Sequence, residues 1–226
     1  MAHQESITGT TLRTPRAAAV AGIAFSLLLG LALVLLTISV PSNSATPGAW
    51  LTNSSRRTAV AVALNLVPFA GIAFLWFMGV VRDRIGQRED RFFASVFLGS
   101  GLLFVAMLFA GAAFAGGLAA DIAVRSAAAP GPATLAVGRQ VTGLLLRVYA
   151  LRMAAVFTMS TATITLRTQV VPRWIGLTGF GAAVVLLVSV GLTPWVTLLF
   201  PAWILLLSID ILRTGLRGPR GTAGTT

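Results

Sequence analysis

The sequence predicts an all-α fold, a polytopic transmembrane helix bundle of about six helices with both termini on the cytoplasmic side (N-in/C-in). Hydrophobic residues make up 56% of the 226 residues and charged residues only 10%, whereas about a quarter of the residues in a soluble domain are charged. The mean hydropathy is +0.88. The apolar residues also fall into blocks of about 20, the length that a helix needs to cross a bilayer. A soluble fold would leave such surfaces exposed to water and would aggregate.

Six apolar segments qualify as membrane helices, and turn-forming or charged residues separate them. They cover residues 17–40, 58–81, 92–118, 144–166, 174–192 and 195–212. Only Thr193-Pro194 divides the last two segments, which predicts a tight antiparallel hairpin. The predicted domains are a cytoplasmic N-terminal tail (1–16), a six-helix transmembrane domain (17–213) and a disordered cytoplasmic C-terminal tail (214–226).

The arginines predict the orientation. All 17 basic residues are Arg, a usage that indicates a GC-rich bacterial genome. With the N-terminus inside, the cytoplasmic side holds eleven arginines and the outer side holds six, in agreement with the positive-inside rule. The eleven are Arg13, Arg16, Arg82, Arg84, Arg88, Arg91, Arg167, Arg173, Arg213, Arg217 and Arg220; the six are Arg56, Arg57, Arg125, Arg139, Arg147 and Arg152.

Several function classes are disfavoured. The net charge of +11 is spread between apolar blocks, so no basic face for nucleic acid forms. The chain has no Cys and a single His, His3, in the N-terminal tail. No two of its six acidic residues share a predicted membrane helix, and no metal-ligand spacing occurs. We therefore expect no catalytic residues, metal or cofactor, and no enzymatic activity.

The fourth segment carries the most informative charges, Arg147 and Arg152, with Tyr149 between them. A charge near the bilayer centre costs at least about 2.5 kcal/mol, so such residues merit a functional hypothesis. One hypothesis is an anion or headgroup site. The alternatives are a helix that enters the bilayer near Val148, with both arginines snorkelling outward, and a structural ion pair with Asp121.

Two further sets of polar residues complete the candidate site. Thr158, Thr161 and Thr165 share one face of the fourth segment, where they either line a polar path or bond their own helix and its neighbours. Asn65 lies three residues before Pro68, which frees the carbonyl of Leu64. The Asn65 amide then either satisfies freed backbone or binds a ligand.

Small residues recur at four-residue spacing in the first segment, at Ala18, Gly22, Ser26 and Gly30. Such a stripe allows close helix approach, either inside the bundle or in a homo-oligomer through Gly22, Ser26 and Gly30. Membrane lipids are the other expected partners, with anionic headgroups at cytoplasmic Arg-rich turns such as residues 82–91. Near the inner end of the last segment, Asp210 is expected to meet Arg213 or Arg173.

Several strings resemble an uncharacterised family of actinobacterial integral membrane proteins. They are Asn65–Arg84, Arg88–Phe93, Val148–Ala155, Pro172–Gly176 and Phe200–Ile204. The resemblance covers most of the chain except both tails and implies a six-helix membrane protein. It carries no activity and no functional residues.

The leading hypothesis is a multi-pass plasma-membrane protein with a non-enzymatic structural or interaction role. The alternative is a small-solute or anion transporter or channel lined by Asn65, Arg152 and the hydroxyls of the fourth segment. A transporter predicts that Asn65, Arg152 and Thr161 face one cavity.

Overall fold

The computed structural model describes residues 14–39, 53–85, 91–124, 132–168, 171–189 and 194–216, and every regular element within these ranges is helical. The α-helices are Thr14–Ser39 (α1), Ser54–Ile85 (α2), Arg91–Val124 (α3), Pro132–Gly143 (α4), Leu151–Thr168 (α5), Arg173–Val188 (α6) and Leu199–Leu216 (α7). A π-helical segment, Leu144–Ala150, joins α4 to α5 and is called the π turn; a 3-10 turn, Pro194–Leu198, leads into α7. Most of both predicted tails lies outside the described residues.

Five stretches are long and apolar enough to cross a membrane. They are Arg16–Ser39, Ser54–Arg82, Phe92–Ala120, Ala136–Arg167 and Trp195–Thr214. The remaining predicted segment, residues 174–192, forms α6, a shorter apolar helix of 16 residues. At 1.5 Å per residue α6 is about 24 Å long, less than the hydrocarbon core of about 30 Å. The prediction of six spanning helices therefore holds for five of them by length, with α6 as a sixth, shorter helix.

Helix α6 ends four residues earlier than the hydropathy pattern predicts. Ser189 leaves the helical conformation at φ −77° and ψ 25°, and its backbone N–H donates to the carbonyl of Val185 at 2.9 Å. Gly191 and Pro194 follow in the sequence, and both residue types disfavour continuation of a helix. Hydropathy does not register these backbone preferences, because the segment stays apolar.

The fourth span begins earlier than predicted. Its helix runs from Pro132 through the π turn to Thr168 without a break, although only residues 144–166 were predicted as membrane helix. Proline is well suited to the first helical position, where its missing N–H would have no partner. Arg139 and Gln140 lower the hydropathy of this stretch but do not interrupt the helix.

Contacts near the helix ends show that neighbouring helices run antiparallel. Gly22, near the start of α1, lies against Phe77 and Ser208, near the ends of α2 and α7. Gly176, at the start of α6, lies against Leu166 near the end of α5. Helix α1 packs on α2 and α7, α2 on α3, α3 on α5, and α5 on α6, and α6 also meets α7. These contacts arrange the six helices as a closed ring.

The antiparallel order gives the bundle two ends. The Arg16 end carries Arg16, Arg82, Arg167, Arg173 and Arg213, and the Arg56 end carries Arg56, Arg57 and Arg139. All these side chains are exposed. Charged side chains at both ends of apolar helices are typical of proteins embedded in a bilayer.

The flank of the ring is apolar. Large hydrophobic side chains are exposed along the helices, among them Val20, Leu27 and Leu31 on α1, Phe69, Ile72 and Trp76 on α2, and Leu177, Val184 and Val188 on α6. An apolar exterior of this extent is unfavourable in water. It matches the lipid environment that the composition predicts.

Candidate functional site

A cluster of aromatic rings fills the centre of the ring of helices. The phenylalanine cluster consists of Phe25, Phe74, Phe104, Phe157 and Phe200, one ring each from α1, α2, α3, α5 and α7, and all five are buried. Ring centroids lie 4.7 Å apart for Phe25 and Phe74, 4.9 Å for Phe74 and Phe157, and 4.9 Å for Phe104 and Phe200. These spacings are those of tilted and edge-to-face aromatic pairs. The cluster closes the centre of the bundle with apolar contacts.

The phenylalanine cluster was not predicted from the sequence, although a signal was present. Each of the five rings stands 8–13 residues from the charged or interfacial residue that ends its helix on the Arg16 side of the bundle. Alignment of the segments by depth rather than by sequence would have placed the five rings at one level. The rings meet because they lie at similar distances from the same end of the bundle.

The three candidate threonines of the fourth span bond to their own helix, and two of them face this closed interior. Thr158 donates to the carbonyl of Ala154 and Thr161 to that of Phe157, both at 2.8 Å. Both threonines are fully buried. Thr165, half-buried, donates to the carbonyl of Ala162 at 2.9 Å. Two roles were predicted for these hydroxyls, a polar path and hydrogen bonding within the bundle. The observed geometry is that of hydroxyls bonded to their own helix.

Asn65 lies on the outside of α2. Its side-chain amide donates to the carbonyl of Ala61 at 2.8 Å, and the side chain is exposed. The neighbouring exposed side chains of α2 are apolar: Val62, Phe69, Ile72 and Trp76. The amide therefore satisfies backbone one turn earlier, at Ala61 and not at the Leu64 carbonyl that Pro68 frees.

Arg147, Tyr149 and Arg152 are exposed on the outside of the fourth span and are together called the arginine face. Within the described residues, the seven candidate positions thus divide into the exposed arginine face, an exposed Asn65 on another helix, and inward-facing threonines. Asn65, Arg152 and Thr161 do not converge on one cavity. The side chain of Asp121, the predicted ion-pair partner, lies outside the described residues.

The π turn separates the two arginines of this face. In a regular α-helix five residues advance about 1.4 turns, so Arg147 and Arg152 would point in different directions. A π-helix bonds residues i and i+5, so residues five apart lie close to one above the other. The wide turn therefore brings the two arginines towards one side of the span.

Arg167 marks the opposite end of the same span. Its guanidinium carbon lies 4.6 Å from the centroid of the Phe93 ring on α3, a cation–π contact. The 20 residues from Arg147 to Arg167 correspond to about 30 Å of helix, the thickness of the hydrocarbon core. Arg147 thus stands level with one membrane boundary when Arg167 stands at the other, and Arg152 lies on the hydrocarbon side of Arg147.

The small-residue stripe of α1 faces the bundle over most of its length. A Cβ on Gly22 would come within 2.8 Å of the Phe77 ring and would collide with Ser208 Oγ. Ser26 is buried and donates to the Gly22 carbonyl at 2.8 Å. Space is open only beside Gly30. The stripe therefore packs α1 against α2 and α7, and a homo-oligomer seam would have only Gly30 of the three named positions available.

Asp210 does not form the ion pair expected from the sequence. Its Oδ2 is buried without a hydrogen-bond partner, and no ion pair joins it to Arg173 or Arg213 among the described residues. Both arginines are exposed at the Arg16 end. The Arg-rich turn at residues 82–91 lies outside the described side chains except for Arg82, which is exposed.

An open apolar groove of about 780 Å³ runs between α3 and α4 near the Arg56 end. Its lining includes Phe114, Leu118 and Val137, and Thr134 is its one side chain with a hydroxyl. Within the described residues no group of three His, Cys, Asp or Glu side chains is placed to hold a metal ion. The groove offers apolar contact but no arrangement of acid and base.

Comparison with protein-family models, with curated proteins and with solved structures finds no match to this chain. The resemblance to a family of actinobacterial membrane proteins therefore stays a prediction.

Proposed function

We propose that the chain is a multi-pass protein of the plasma membrane that serves as a non-enzymatic structural or interaction component and acts through its outer surface. Its six helices cross the bilayer in alternation, with both termini in the cytoplasm. The phenylalanine cluster is the observation that supports this role most directly. A solute pathway needs polar groups along its wall, whereas the rings at the centre of this bundle are buried against one another.

The polar side chains agree with a role at the surface. The hydroxyls of Thr158, Thr161 and Thr165 bond to their own backbone. Every arginine whose side chain is described is exposed. Groups able to engage a charged partner are therefore directed away from the interior.

The proposed orientation rests on the arginine distribution. The Arg16 end is the cytoplasmic end in this arrangement, because short basic segments stay on that side. Helix α6 crosses despite its 16 residues, since local thinning of the bilayer accommodates a mismatch of a few ångströms at modest cost.

A flux assay tests the role. The purified chain is reconstituted into vesicles loaded with chloride or inorganic phosphate, and efflux is compared with that of protein-free vesicles. We expect no difference. Efflux that depends on the protein and is lost in Arg152→Gln would contradict the proposal and support the transporter alternative.

Thiol labelling tests the orientation, because the natural chain has no cysteine. Ser55→Cys, exposed at the start of α2, is expected to react with an impermeant reagent added to intact cells. Thr226→Cys is expected to react only after lysis. The reverse pattern would invert the proposed sidedness.

A further inference from the structure

We propose that the arginine face binds the phosphate group of a membrane phospholipid in the leaflet at the Arg56 end. This site rests on the proposed function, because it needs a chain that lies in the bilayer and engages partners from its outer surface. The flank of the fourth span around the arginines is exposed, as are Leu144 and Met159 above and below them. Exposed apolar side chains such as these are compatible with a lipid environment.

With Arg167 at one boundary of the hydrocarbon core, the two arginines lie at and just below the opposite boundary, within reach of the phosphate layer. Arg147 stands about 30 Å along the helix from Arg167, at the boundary of the hydrocarbon core. Arg152 lies about 7 Å deeper, because five residues rise by roughly that distance. A lipid-facing cation at this depth extends towards the nearer boundary to reach polar groups.

The direction of the helix favours that extension. Side chains on an α-helix lean towards its N-terminus. The N-terminal direction of the fourth span is the Arg56 end, so the stem of Arg152 leans towards Arg147 and the nearer boundary. A helix of the opposite direction would lean the same side chain into the hydrocarbon.

The π turn brings Arg147 and Arg152 closer to one side of the helix than a regular α-helix would. Guanidinium groups bind phosphate oxygens through paired, charge-assisted hydrogen bonds. Tyr149, 52% exposed between the arginines, belongs to a residue type that is enriched at the membrane–water interface. The two arginines supply paired donors for a phosphate at that level, and the exposed Tyr149 lies between them along the helix.

A carboxylate within the chain is the less favoured partner. Asp210 is the only acidic residue whose side chain the structure describes, and it stands near the opposite, Arg16 end. Neither Arg147 nor Arg152 has an ion pair with any described residue. A lipid phosphate is present at the required depth around the whole protein.

Lipid titration followed by native mass spectrometry tests the site. The purified full chain receives phosphatidylglycerol, and the apparent affinity of the first bound lipid is measured. In Arg147→Gln/Arg152→Gln we expect this affinity to fall about ten-fold, because two charge-assisted contacts are lost. Arg139→Gln, an exposed arginine of the same helix outside the arginine face, is the matched control and is expected to change it less than about two-fold.

Additional measurements distinguish a lipid phosphate from free phosphate and from a protein partner. A diacyl galactolipid, which has no phosphate, is expected to bind equally to the natural chain and the double variant. Inorganic phosphate at millimolar concentration is expected not to displace the lipid. Displacement would assign the site to free phosphate and overturn the lipid. Loss of a dimer or of a co-purifying acidic protein in the double variant, with lipid binding unchanged, would assign it to a protein and overturn the proposal.

Melting in detergent establishes that each variant is folded. If the double variant does not fold, Arg152→Lys replaces it. A lysine keeps the charge but lacks the paired donors, so we expect a smaller loss of lipid affinity than in the double variant. Unchanged affinity would overturn the proposal. Failure here leaves the flux and labelling results intact. Protein-dependent efflux in the flux assay would contradict the proposed function whether or not the chain binds lipid.

Discussion

At the centre of the bundle, Phe25, Phe74 and Phe200 pack ring against ring. On its flank, Arg147 in the π turn and Arg152 just after it are exposed. Both regions belong to apolar helices, but one is built entirely from apolar contacts between helices and the other directs charge away from them. The difference shows where this chain holds its ionic chemistry. The interior provides packing, and the exterior and the ends provide charged groups.

The largest expected effect breaks the interior. Phe74→Ala removes a ring that lies within 4.7–6.3 Å of five other phenylalanine rings, measured between centroids. We expect a loss of about 3–5 kcal/mol in the free energy of unfolding. Phe69→Ala, 62% exposed on the same helix, is the control and is expected to cost less than about 1 kcal/mol. Equal losses, measured by denaturation in detergent, would contradict a packed centre.

A smaller effect tests the stripe of α1. Gly22→Leu introduces a side chain where Phe77 and Ser208 already lie, and overpacking of this kind costs about 1–3 kcal/mol. Gly30→Leu places the same side chain in open space and is expected to retain the melting temperature of the natural chain. If Gly30→Leu instead dissolved an oligomer seen by size-exclusion chromatography, α1 would also serve as a seam between copies.

The contact between α6 and α7 should respond more weakly. Trp203 Nε1 donates to the carbonyl of Ile175 at 3.2 Å in a buried position. Trp203→Phe loses this hydrogen bond, at an expected cost of about 0.5–1.5 kcal/mol. Trp76→Phe, 71% exposed, should leave the melting temperature unchanged. A larger fall in melting temperature for Trp76→Phe than for Trp203→Phe would mean that a partner covers the exposed face of α2.

The smallest effect concerns the interior hydroxyls. Thr161→Val preserves the shape of the side chain and removes a hydroxyl that bonds only its own helix, so a change below about 1 kcal/mol is expected. Thermal denaturation with Thr158→Val alongside checks this expectation. A severe loss in either variant would mean that the hydroxyl serves another helix.

The helices were predictable because runs of apolar residues register directly in hydropathy. Which side of each helix faces lipid and which faces the bundle interior was not predictable. Lipid and bundle interior are both apolar, so hydropathy does not show that Asn65 is exposed and Thr161 buried. Soluble helices reveal their buried face through amphipathic periodicity, a signal that is weak in membrane helices.

The π turn was also beyond prediction from the sequence. Residues 144–150 read Leu-Leu-Leu-Arg-Val-Tyr-Ala, which is compatible with an ordinary α-helix. Contacts of this segment with α3, such as that of Leu146 with Gly111, arise from tertiary packing. The sequence therefore identified Arg147 and Arg152 but not the turn that aligns them.

Accessibility of the interior to water tests the central claim most directly. Vesicles containing the reconstituted protein are exposed on both sides to a small charged thiol reagent, and Ser55→Cys should be fully labelled. Thr161 is fully buried beside the phenylalanine cluster. Thr161→Cys should therefore be labelled to less than about a tenth of that extent, because a thiol needs water to ionise and react. Equal labelling of the two would reveal a hydrated path through the bundle and would contradict the closed interior.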